Sequence, residues 1–144
     1  MNKVLYSTAK QLAEKGFNRK CSHVYEDSDG TLSIVCAQYF MEGESTVDKD
    51  DIERVIKNSR EYYENTSVVL CPYQNQVIDW LREKHNIVVQ VNPLFDHDLK
   101  RWTYGWKIIK LYDDGKTETW EGNLYICHID ACENAIKSCL VNLI

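Results

Sequence analysis

The chain has 144 residues, 44% of them hydrophobic and 27% charged, with only 6 glycines and 2 prolines. That is a length for one domain and a composition that excludes long disordered tracts. The net charge is −5, and basic runs stop at the pairs Arg19-Lys20 and Lys100-Arg101, which disfavours nucleic-acid binding through a phosphate-neutralising stripe.

The first helix is predicted from about Thr8 to Lys15, with Ser7 as its N-cap and Gly16 as its terminator. Ala9, Leu12 and Ala13 form its apolar stripe, and Phe17 is placed to pack back on it. Two strands follow, Cys21 to Glu26 and Thr31 to Phe40. They flank Asp27-Ser28-Asp29-Gly30, a turn in which Gly accepts positive φ. Both faces of the second strand carry apolar residues, the pattern of a strand buried on much of both sides.

Met41 to Val47 reads as a polar linker. A helix from about Lys49 to Glu64 follows, capped by Asp48 and striped by Ile52, Val55, Ile56, Ser59 and Tyr63. Ser67 to Leu70 is a short apolar run. Pro72 then opens a helix reaching about Lys84, whose face is Val77, Ile78, Leu81 and His85, with Trp80 at its edge. Ile87 to Val91 is a strand that Asn92-Pro93 stops, and Leu94 to Arg101 is a loop. Trp102 to Tyr112 is a long strand, turned by Asp113-Asp114-Gly115-Lys116 into a return strand, Thr117 to Trp120. In the last helix Asp130 and Glu133 have capping-box spacing. Its stripe is Cys132, Ala135, Ile136, Cys139, Leu140 and Leu143.

These elements predict an α+β fold, with antiparallel β-hairpins packed against three or four amphipathic helices. The expectation is one domain over 1–144, with sub-units 1–47 and 67–144 joined by the helix over about 49–64. Each half holds a helix ending in Leu-x-Glu-Lys (Leu12 to Lys15, Leu81 to Lys84), then an apolar residue and a hairpin. This reads as a loose internal repeat resting on four residues.

Three blocks carry a family resemblance. They are Thr8 to Phe17 followed by Cys21; Cys71-Pro72-Tyr73-Gln74 with Trp80-Leu81-Arg82-Glu83-Lys84-His85-Asn86-Ile87; and the Ala131 to Ile144 helix. Together they resemble small uncharacterised proteins of Bacteroides-type bacteria and their phages and prophages. Tyr73 stands where that pattern has Thr, and the segment Asp48 to Tyr63 is less typical of it. The resemblance implies a mobile-element context and brings no chemistry with it.

Met1 to Lys15 lacks the apolar region of a signal peptide, and no stretch approaches about 18 consecutive apolar residues. The sequence therefore implies a cytoplasmic protein, away from membranes, whose six cysteines (Cys21, Cys36, Cys71, Cys127, Cys132 and Cys139) are thiols, mostly in the core.

Four groups of residues could carry chemistry. Cys127, His128 and Cys132 have metal-ligand types, but Cys132 and Cys139 already fit the last helix's stripe. A four-ligand site would also need a distant pair such as Cys21 and His23. Cys71 before Pro72 lies where a helix dipole can lower a thiol pKa. A cysteine hydrolase would also need a base from His23, His85, His97 or His128; a buried thiol closing a short strand is the simpler account. Glu42, Glu44, Asp48, Asp50 and Asp51 read as a linker and helix start, and Asp96-His97-Asp98 as a solvated loop. Last, Trp102, Tyr104, Trp106, Ile108 and Tyr112 share one strand face by alternation, with Trp120 across the hairpin. Such a face receives a helix or meets a partner.

There is no GxGxxG, P-loop, GxSxG or HExxH, so no cofactor is implied. The expectation is a non-catalytic interaction or accessory protein that uses Trp102, Tyr104, Trp106 and Trp120 against a protein partner or a second copy of itself. A cysteine-dependent enzyme built on Cys71 and a histidine such as His85 is the alternative, and a nucleic-acid-binding protein the third reading.

Overall fold

The computed structural model describes residues 1–58 and 66–144. Among them the fold is α+β: five helices and two antiparallel three-stranded sheets. The chain divides into two compact units, Lys3–Tyr73 and Met1–Asn2 with Gln74–Ile144. None of the described helices is long and apolar enough to cross a membrane.

In the Lys3–Tyr73 unit, α1 spans Tyr6–Glu14. It starts two residues earlier than the sequence suggested, with Leu5 rather than Ser7 at its N-cap. The reason is upstream: Lys3 bridges Tyr73, and Val4 N–H donates to Pro72 O at 3.0 Å. Backbone pairing therefore fixes the entry to the helix, not a hydroxyl cap. The C-terminus follows the sequence. Gly16 is left-handed at φ 85°, Phe17 N–H bonds Leu12 O at 2.9 Å and Gly16 N–H bonds Ala13 O at 3.2 Å. This paired pattern satisfies the last carbonyls and buries Phe17.

The sheet of this unit has the order β2-β1-β3, with β1 at His23–Asp27, β2 at Leu32–Cys36 and β3 at Ser67–Leu70. The expected strand through Phe40 stops at Cys36. Ala37–Phe40 is instead a helical turn, α2, which buries Ala37 and Phe40 together; strand alternation would have put them on opposite faces. Nor is β2 buried on both faces. It is an edge strand, and Leu32 and Ile34 are 46% and 47% exposed.

Helix α3, Lys49–Asn58, begins with a reciprocal cap. Asp51 N–H donates to Asp48 Oδ1, and Asp48 N–H to Asp51 Oδ2, both at 3.0 Å. The rest of the helix expected to about Glu64 lies outside the described residues. Ser67–Leu70 pairs antiparallel with β1. It therefore belongs with the earlier residues, and the division of the chain falls after Tyr73 instead of between 47 and 67.

In the second unit, α4 spans Gln74–His85, and Asn86 at φ 56° turns the chain into β4, Ile87–Asp96. Pro93 does not stop this strand. The sheet order is β4-β5-β6, so β4 is an edge, where the N–H that proline lacks is not needed on the outer side. Pro93 sits opposite Tyr104 of β5, Arg101–Leu111. A turn with Gly115 at φ 84° leads to β6, Thr117–Tyr125, five residues longer than expected. Trp80 is buried, not at an edge.

Helix α5 runs from His128 to Asn142 and packs across all three strands of this sheet. Cys132, Ala135, Ile136, Cys139, Leu140 and Leu143 are all buried, as their spacing predicts. Its start differs from the sequence reading. Cys127 occupies the N-cap position and Asp130 lies in the first turn, while Glu133 points into the core. The first unit places its first strand at the centre of its sheet and the second unit its middle strand. The internal similarity thus ends at helix plus hairpin.

Candidate functional site

The register of β4 and β5 puts Ile87, Val89, Val91, Pro93 and Phe95 on one face of the sheet. They lie opposite Lys110, Ile108, Trp106, Tyr104 and Trp102. This is the aromatic face expected from alternation, and it has two ends. At one end α5 covers it: Ile87 and Ile108 are fully buried, and Lys110 Nζ donates to Leu143 O at 2.6 Å. Midway, Tyr104 meets the His128 ring edge-on at 5.7 Å, and Trp106 and Trp120 are half-buried.

At the other end the face is open. Phe95 and Trp102 pack edge to face at 5.5 Å, and His97 lies edge-on to Phe95 at 5.0 Å. Phe95 is 43% and Trp102 59% exposed, and Leu99 in the turn is exposed as well. The Asp96 carboxylate accepts the N–H groups of Asp98 and Leu99, each at 2.9 Å, and so orders the turn that carries the rings. Phe95, which the Asn92-Pro93 stop signal would put in a loop, belongs to β4. The clue was present, since the two-residue alternation from Ile87 continues through Pro93 to Phe95.

The alternative centres are arranged less favourably. Cys71 is 1% exposed, and its N–H bonds His23 O at 3.0 Å. Burial raises its thiol pKa, against smaller lowering effects from Tyr25 and Lys3. Cys21 beside it is pushed up to about 12 by burial and by Cys71. A nucleophilic cysteine needs the opposite, a stabilised thiolate. His23 bonds Ser22 Oγ at 2.8 Å and meets the Tyr73 ring edge-on. His85 packs against the Trp80 ring at 4.6 Å, and burial, then Lys110, lowers its pKa.

Of the metal-ligand types at the start of α5, His128 and Cys132 come together, with Cys132 Sγ 3.6 Å from His128 Nδ1. Cys127 caps the helix in extended conformation. Of the carboxylates at the start of α3, Asp48 and Asp51 serve the cap, and Asp51 also pairs with Lys20 at 2.5 Å. No protein-family profile, curated protein or solved structure matches this chain.

Proposed function

We propose that the chain is a non-catalytic interaction protein whose working surface is the open end of the β4–β5 hairpin. The observation that carries this reading is the ordered, exposed pair of Phe95 and Trp102, packed at 5.5 Å on adjacent strands beyond the helix-covered part of the sheet. Large aromatics dominate binding energy at interfaces. Rings already held by paired strands lose little freedom on association.

The occupant favoured by the charge pattern is a second copy of the chain. The turn carries Asp96 and Asp98 followed by Lys100 and Arg101, two charges of each sign beside the apolar rings. A twofold contact requires such a self-complementary patch, since residue i meets j and j meets i. The resemblance of three sequence blocks to Bacteroides-type phage and prophage proteins supports an accessory role in that setting.

Sedimentation velocity over a range of concentrations tests the proposal. The expected result is self-association of the unmodified chain, abolished by Trp102→Ser or Phe95→Ser with the fold retained. A monomer at every concentration, or a dimer indifferent to both substitutions, overturns it.

A further inference from the structure

Strand β2 is an edge whose free hydrogen-bonding groups follow from its register. Ala37 N–H donates to Ser22 O at 2.8 Å, and Cys71 N–H to His23 O at 3.0 Å. Bonded residues alternate along an antiparallel pair. Counting on from these two bonds, Val35 and Ser33 pair inward with Val24 and Glu26, while His23, Tyr25 and Asp27 turn their backbone towards β3. Leu32, Ile34 and Cys36 therefore aim their N–H groups away from β1, and Leu32 and Ile34 their carbonyls too. Among the described residues no other strand pairs with this side of β2. The Leu32 and Ile34 side chains share one face and are exposed.

The other sheet edges are protected. Helices α1 and α3 pack on β3, β4 carries Pro93, and β6 carries Glu118, Glu121 and a bulge. Strand β2, Leu-Ser-Ile-Val-Cys, has no charge, proline or glycine, and its register with β1 is unbroken. Such an edge is a template for an added strand.

Charge narrows the choice of occupant. Glu26, Asp27 and Asp29 lie at the turn end of the β1–β2 hairpin, and none forms an ion pair among the described residues. Asp27 Oδ1 is also without a hydrogen-bond partner there. A second copy pairing through its own β2 brings no cation to this end, because no Lys or Arg occurs between Lys20 and Lys49.

We propose that β2 binds an extended segment of another protein as an added antiparallel strand. The segment has aliphatic residues at alternate positions and Lys or Arg at the end that meets Asp27 and Asp29. Antiparallel order fixes which end that is. β2 runs from the acidic turn towards α2, so the segment runs the other way and carries its cations at its C-terminal end. Backbone bonds supply affinity, and Leu32 and Ile34 select aliphatic side chains on their face. This surface uses none of the residues of the Phe95–Trp102 contact and stands without it.

The test is fluorescence anisotropy of a labelled, end-blocked peptide, Thr-Val-Thr-Val-Thr-Lys-Lys, with the full chain, joined to amide hydrogen exchange. The expected result is saturable binding that salt weakens. Exchange should slow at the N–H groups of Leu32, Ile34 and Cys36, while Ser33 and Val35 are protected already in the free chain. Ile34→Pro removes an outward N–H and spares the bonds to β1, so it should weaken binding at least about tenfold with the circular dichroism unchanged. Should that variant fail to fold, peptides N-methylated on either alternate set of amides decide the same point: one set abolishes binding and the other does not. Glu-Glu in place of Lys-Lys, or Asp27→Asn with Asp29→Asn, should also weaken binding. Trp102→Ser should bind the peptide as the unmodified chain does. No binding by the unmodified chain, binding indifferent to both the proline and the N-methyl groups, or binding indifferent to the charge changes overturns the proposal. Loss of self-association in a folded Ile34→Pro, read by sedimentation velocity, overturns it as well, because the occupant would then be a second copy.

Discussion

Gln74 and Glu133 are bonded to each other across 59 residues of sequence, Nε2 donating to Oε2 at 3.1 Å, and each is only 5% exposed. The pair ties the first residue of α4 to the second turn of α5. A buried carboxylate needs its donors, and a hydrogen bond to a charged group contributes more than one between neutral groups. Gln74→Leu keeps the volume and removes both the donor to Glu133 and the donor to Ile129 O. The expected effect is a loss of about 1.5–3 kcal/mol in unfolding free energy, read as a lower urea midpoint at unchanged slope.

Asp51 predicts an acid-labile contribution to stability. Its hydrogen bond from Lys20 comes first, then the backbone N–H of Asp48, and together they hold its pKa down at about 2, against an ordinary 3.8. A depressed carboxylate pKa stabilises the folded chain above the unfolded value, and that stability is lost as pH falls from 3.8 towards about 2. The urea midpoint of the unmodified chain should therefore drop more steeply across that window than that of Asp51→Asn. Salt should narrow the difference, because Lys20 is largely solvent-exposed. Matching pH profiles for the two proteins would remove Asp51 from the account.

Where the sequence was legible, the interaction was local. Gly16 with Phe17, the turn at Gly115 and the stripe from Cys132 to Leu143 are all determined within a few residues, and each appears where the pattern places it. Glu133 shows the limit. Three residues after Asp130, it has the spacing of a capping box, and nothing nearby in sequence distinguishes a cap from a buried carboxylate. Its partner Gln74 decides the matter from the far end of the unit. The sequence groups His128 with Cys132, but with the helix started at Asp130 His128 falls outside it, and only the helix from His128 puts the two on one face.

The sheets show the same division. The aromatic alternation of Trp102, Tyr104 and Trp106 is visible in the sequence, but its split into a covered and an open end depends on where α5 lies. Pro93 reads as a strand breaker until β4 is known to be an edge. Ser67–Leu70 reads as an isolated apolar run until β1 is found beside it. Ladder partners distant in sequence, rather than local propensity, decided these cases.

The bulge in β6 yields a prediction with opposite signs at neighbouring positions. Trp106 pairs with Gly122 and Tyr104 with Tyr125, so β6 places two residues, Asn123 and Leu124, against Gly105 alone. Gly122 is required because the Trp106 indole lies over it. A Cβ there would sit 2.3 Å from Cε2 and 2.6 Å from Nε1. Gly122→Ala must displace the ring, at an expected cost of about 1–3 kcal/mol, with an altered near-ultraviolet tryptophan signal. In a Trp106→Ala background the same change should cost little, because the obstructing ring is gone, and the double-mutant cycle measures that coupling. Leu124 poses the reverse case. It holds φ 70° with a 70% exposed side chain, so it bears left-handed strain while burying little. Leu124→Gly should raise stability by up to about 1 kcal/mol, the relief of about 1–2 kcal/mol of strain being partly offset by the greater backbone entropy of glycine in the unfolded chain. A destabilised Leu124→Gly, or a Gly122→Ala cost that persists without the indole, would place the constraint elsewhere in the bulge.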